Sequence, residues 1–177
     1  GTDRLTLPAG FERAATTAGM GTLAAQTRPF NVESRRQRAE VGGIWWINSD
    51  WELRGSLRND DREGTRIRGL VFGFDGGPLR SALLPEPVNS ATQLIDASLV
   101  WNGEDQRVVF SYHGSLFRNH IDRLVWDNPY SSAPWVGGNS GLPADFPITT
   151  GRAALAPDNQ FHQFGVTGAH DFSSTTR

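Results

Sequence analysis

The sequence contains no cysteine among its 177 residues. That excludes disulfides, thiolate metal sites, iron–sulfur clusters and a covalent c-type haem site. Lysine is absent too, so every basic residue is an arginine, and the formal charge of −2 leaves no basic footprint for nucleic acid. No apolar run reaches the length of a transmembrane helix, and nothing at the N-terminus resembles a signal peptide. Helical periodicity is poor, because 20 glycines and 10 prolines interrupt nearly every window. The chain begins Gly1-Thr2-Asp3-Arg4 without Met and reads as a piece of something longer.

What is present is alternation. Trp51 to Arg58, "WELRGSLR", sets Trp51, Leu53 and Leu57 on one face of a strand and Glu52, Arg54, Ser56 and Arg58 on the other. The same string suits a soluble sheet, with its apolar face on a core, and a membrane barrel, with its apolar face on lipid. Five strands are expected: Arg38–Ile47, Trp51–Asp60, Thr92–Trp101, Arg107–Phe117 and Phe161–His170, each ten or eleven residues long. Globular strands average about five or six residues, whereas tilted membrane-spanning strands need about nine to eleven.

The connections point the same way. Asn48-Ser49-Asp50 and Asn102 to Gln106 read as tight turns, whereas 61–91 and 118–160 read as long links. Residues 1–37 read as a further long loop holding one candidate helix, Phe11–Ala25. Short turns at one end and long loops at the other are the pattern of an outer-membrane barrel. Trp45, Trp46, Trp51 and Trp101 flank the short turns, where an interfacial aromatic girdle belongs. The expected fold is therefore all-β, an antiparallel arc of long strands from a large barrel with no closed core of its own. Trp51, Leu53, Leu57, Ile95, Ala97, Leu99, Trp101, Val108, Phe110, Tyr112, Leu116, Phe164 and Val166 are expected to face lipid. Arg38, Glu40, Glu52, Arg54, Arg58, Asp96, Ser98, Ser111, His113, Ser115, Gln163 and Thr167 are expected to face the lumen. The competing reading is a soluble all-β ligand-binding module, carbohydrate-binding in type, which would bury Leu53, Leu99 and Phe110 instead.

The runs "DDREGTRIRGLVFGF", "LPEPVN", "YHGSLFRN", "LVWDNPY" and "LAPDNQFHQF", in that order, resemble the MtrB/PioB family of decahaem-associated outer-membrane barrels. The resemblance spans most of the chain from about Leu5. It implies a large closed barrel in the bacterial outer membrane, sheathing a periplasmic multihaem c-type cytochrome as a conduit for electrons. In some members an outer-surface cytochrome docks outside. Any haem would then be carried by the partner and none bound covalently. Five strands cannot close such a barrel, for which about eight is the minimum, so the chain would form one arc of its wall.

The motifs themselves read as structural. Leu84-Pro85-Glu86-Pro87-Val88 imposes extended backbone ahead of each proline. Trp126-Asp127-Asn128-Pro129 and Ala156-Pro157-Asp158-Asn159-Gln160 are turn signals. His113, His120, His162 and His170 lie on separate elements without metal-ligand spacing. Asp127, Asp145 and Asp158 fit turn capping better than calcium binding or hydrolysis. Gly73-Phe74-Asp75-Gly76-Gly77 lacks the Lys-Ser/Thr of a phosphate loop. No nucleophile has an adjacent base, so an enzyme is not expected. Arg54 and Arg58 are open to two readings, a haem propionate or acidic partner surface, or Glu52 or Asp96 across the wall.

Overall fold

A computed structural model describes residues 1–73, 80–131 and 149–172. The described elements are β1 (Thr2–Leu5), a 3₁₀ turn (Thr17–Gly19), the single-turn helix α1 (Leu23–Gln26), β2 (Glu33–Trp46), β3 (Trp51–Gly73) and β4 (Arg80–Asn102). They continue with β5 (Gln106–Asn119), β6 (Arg123–Asp127), β7 (Thr150–Ala154) and β8 (Asn159–His170). One sheet has the order β2-β3-β4-β5-β8, and a second, three-stranded sheet has the order β1-β6-β7. Neither is closed. The chain divides into two compact units, one of residues 35–62, 89–119 and 157–177, the other of residues 1–34, 63–88 and 120–156.

All five expected strands exist and line up in chain order in the larger sheet. The antiparallel registers are continuous: thirteen consecutive pairs run from Ser90↔Asn119 to Asn102↔Arg107, and β5 pairs with β8 from Gln106↔His170 to Phe117↔Asn159. The short turns also form as expected. Asn48 Oδ1 accepts from the backbone N–H of Asp50 and of Trp51, both at 2.9 Å, folding β2 back onto β3. Gly103 N–H donates to Gln106 O at 2.8 Å between β4 and β5.

The link expected over 61–91 is mostly strand instead. β3 runs on to Gly73 and β4 begins at Arg80. The cause is visible in the residues: Arg66 and Arg68 of β3 both hold Glu86 of β4, so the charge alternation continues as cross-strand pairing. Pro85 and Pro87 are tolerated because β5 partners β4 only from Ser90 onward. The expected helix Phe11–Ala25 is reduced to the 3₁₀ turn and α1. Gly19 and Gly21 interrupt the window, and no apolar stripe repays helix nucleation. The link expected over 118–160 contains β6 and β7, which pair antiparallel, while β1 joins β6 in parallel.

The expectation of no core holds for one unit and fails for the other. In the unit of residues 35–62, 89–119 and 157–177, Val100 is the only buried large apolar residue among the described ones. The other unit has a small core of Leu70, Phe72, Leu124 and Trp126, with Leu5, Ala82, Leu84, Tyr130 and Ala153 against it. Asn128 of "WDNP" makes the turn beneath it, accepting from Tyr130 N–H at 3.0 Å and donating to Phe72 O at 3.3 Å.

Gly64 is a position where only glycine serves. Its φ is +147°, and a Cβ there would lie 2.1 Å from Glu33 O, where β2 begins. At Gly43 a Cβ would meet nothing within 4 Å. In the full-length barrel, Gly64→Val should therefore lower the fraction of assembled, heat-modifiable protein on unheated gels at least severalfold, with Gly43→Val indistinguishable from wild type. Equal assembly of the two variants would contradict this reading of Gly64.

Candidate functional site

Side chains of a strand alternate between its faces, and directly paired residues of neighbouring strands share a face. On β4, β5 and β8 the register therefore builds one face from the rows Trp101/Val108/Gly168, Leu99/Phe110/Val166, Ala97/Tyr112/Phe164 and Ile95/Gly114/His162. Leu116 follows opposite Gln93 and Gln160. Trp51 of β3 joins this face, with its ring centroid 6.4 Å from that of Trp101, and alternation carries Leu53 and Leu57 with it. Every residue expected to face lipid is thus on one side of the sheet. That side is uncovered: Leu53 is 38% exposed, Phe110 45% and Phe164 78%. A two-layer sandwich within this unit would bury them.

The opposite face carries the rows Ser98/Ser111/Gly165, Asp96/His113/Gln163 and Leu94/Ser115/Phe161, with Thr167 opposite Val109. Arg54, Ser56, Asp96, Ser98, Ser111, His113 and Gln163 line a shallow hollow of about 410 Å³. A Cβ on Gly42 would touch Ser56, which sets the even-numbered residues of β2, Arg38 and Glu40 among them, on this side. The residues expected to face the lumen are likewise on a common face. It is not wholly polar, since Leu94, Val100, Val109 and Phe161 share it.

The pairing of charges answers part of the question that Arg54 and Arg58 raise. Arg54 is ion-paired to Glu52. Arg58 has no such partner among the described residues, and its Nε is buried without an acceptor. Asp96 Oδ1 lies 2.6 Å from His113 Nδ1. On the apolar face, Tyr112 Oη lies 2.8 Å from His162 Nδ1 with the rings stacked, a polar pair that alternation alone did not mark out. His170 packs edge-on to Phe172, and among the described residues no three ligating side chains form a metal site. Asp127 accepts from Leu7 N–H at 3.2 Å and pairs with Arg4, and Asp158 accepts from Asn119 N–H at 2.6 Å, so both cap backbone. Asp145 and residues 74–77 of the glycine-rich run lie outside the described residues.

Two acidic residues that sequence reading passed over are the most heavily engaged. Asp60 is buried, and Arg36 grips it through Nε at 2.8 and 3.0 Å and through Nη2. Arg38 adds a contact at 3.3 Å and Arg62 one at 3.6 Å. In the other unit, Glu86 is buried beneath Arg66, whose Nε is 2.8 Å away, and Arg68, also at 2.8 Å. The signal was available in "DDREGTRIR", where Arg62, Arg66 and Arg68 recur at even positions in line with Asp60. The expected boundary cuts this pattern in two, leaving Asp60 at the end of the strand Trp51–Asp60 and the three arginines in the link over 61–91.

The whole chain, residues 1–177, matches the model of a family described as an outer membrane beta-barrel porin, MtrB/PioB. The chain is also 27% identical over 174 residues to outer membrane protein MtrB of Shewanella baltica (strain OS185). That match covers 98% of this chain and 23% of the relative, so the chain spans about a quarter of the relative's length. Long strands in open sheets, one exposed apolar face and a family match over residues 1–177 lead to one identification: this chain belongs to the MtrB/PioB family of outer-membrane β-barrel porins.

Proposed function

We propose that this chain is a segment of barrel wall that sheathes a multihaem cytochrome and positions it for electron transfer across the bacterial outer membrane. In this reading the face of Trp51, Leu53, Leu99 and Phe110 meets lipid. The face of Arg54, Asp96, Ser98, His113 and Gln163 lines the lumen. The observation that carries it is the register, which puts Leu99, Trp101, Val108, Phe110, Phe164 and Val166 on one side of β4, β5 and β8 and Asp96, Ser98, Ser111, His113 and Gln163 on the other. Backbone groups in hydrocarbon must be paired, and a strand wall pairs them laterally while leaving both faces for side chains. The cytochrome is supported by the resemblance of the motif series to decahaem-associated barrels. The wall's own contribution is insulation and positioning, with neither catalysis nor a covalently bound cofactor.

The faces are testable through their cost. An arginine on the lipid side near the membrane midplane costs about 2–4 kcal/mol, whereas the same residue in a wet lumen costs little. Leu53→Arg should impair assembly of the full-length barrel on heat-modifiable gels, and Arg54→Gln should leave assembly intact. The opposite ranking would mean that the faces are reversed.

The haem assignment has its own test. On haem-stained denaturing gels of the purified full-length barrel, no signal should appear at the barrel's mass. Haem should co-purify only as a separate cytochrome band, which is lost when the cytochrome gene is deleted. A haem band at the barrel's own mass would overturn the assignment.

A further inference from the structure

The charges of the polar face are unevenly arranged within the unit of residues 35–62, 89–119 and 157–177. Near the short turns, Glu52 is ion-paired with Arg54, and Asp96 Oδ1 lies 2.6 Å from His113 Nδ1. Farther along β2 and β3, Arg36, Arg38, Arg58 and Arg62 stand with only Asp60 and Glu40 on the same face. The Asp60 side chain is 7% exposed, whereas Arg36 and Arg38 are each 47% exposed and Arg62 57%. The carboxylate is therefore hidden beneath guanidinium groups that still reach solvent. Each guanidinium has five N–H donors, and Asp60 occupies only some of them. Arg58 has no ion-pair partner among the described residues, and its buried Nε lacks an acceptor there.

We propose that this four-arginine cluster is a docking site for carboxylates on the protein that occupies the lumen. The occupant is thereby assigned an acidic patch that meets the wall beyond the apolar belt. The inference rests on the wall reading, with the polar face turned inward. A planar guanidinium fork binds a carboxylate bidentately, and an excess of such forks over acids selects an anionic surface by charge complementarity. Lipid phosphate is the wrong occupant, because the cluster shares the face of Arg54 and Ser56 and not that of Leu53 and Leu57. Asp60 serves as a positioning residue: it gathers Arg36 and Arg38 of β2 and Arg62 of β3 into one group without cancelling their charge.

The test uses the full-length barrel, purified without its partner and reconstituted in planar bilayers, with short poly-L-glutamate as the probe. Wild type should be blocked by the probe, and the block should weaken as KCl rises. Arg36→Gln combined with Arg38→Gln should raise the half-blocking concentration about tenfold or more. Arg58→Gln should raise it about threefold and, because Arg58 holds no ion pair among the described residues, should assemble normally even where the double variant does not. Arg35→Gln, on the opposite face, should change nothing. If Arg58→Gln and every assembled form of the double variant are blocked like wild type, the docking site is wrong. That outcome leaves the Leu53→Arg and Arg54→Gln ranking untouched, whereas reversal of that ranking removes the wall reading itself.

Discussion

The pleat of a hydrogen-bonded ladder is the constraint on which the larger sheet depends. Each strand's backbone groups are satisfied sideways, so consecutive side chains must leave on opposite faces. Once β4 is paired with β5, and β5 with β8, every residue's side is decided together. A one-residue slip would exchange Leu99 for Val100 and Ser98 for Ala97 across the whole wall. The register avoids this by keeping Leu99, Phe110 and Val166 in one row and Asp96, His113 and Gln163 in another.

Within that frame, charge is handled by burial of acids under arginines. Asp60 and Glu86 are each covered by at least two guanidinium groups, and in both cases the base is the more exposed partner. Isolated burial of a carboxylate would be costly, and here the forked hydrogen bonds offset that cost. The total absence of lysine fits this use, because an ammonium cannot span two carboxylate oxygens in a plane.

The unit of residues 1–34, 63–88 and 120–156 obeys a different rule. Its β1, β6 and β7 are short, and its stability comes from packing: Leu124 and Trp126 alternate with Val125 so that Leu124 and Trp126 meet Leu70 and Phe72. Trp126 also lies over Gly151, its partner across β6 and β7, where a Cβ would fall 2.2 Å from the indole. Segments that look like linkers by composition are thus drawn into a core by a few aromatic and leucine side chains far apart in the chain.

Local alternation by itself determined the five strands of the larger sheet, the two tight turns and which residues share a face, because period-2 patterning is written in consecutive residues. "WELRGSLR" already separates Trp51, Leu53 and Leu57 from Glu52, Arg54 and Arg58, and Arg54 does pair with Glu52 as one of its two readings held. Tertiary structure alone decided what lies far apart along the chain: that β3 and β4 continue through the expected link, that Arg36 reaches Asp60, and that Glu86 between two prolines is an anchor for Arg66 and Arg68. It also decided that Leu124 and Trp126 find a core. Alternation reports the side on which a residue stands. Its partner depends on strand pairing, and pairing is set by contacts that no local window contains.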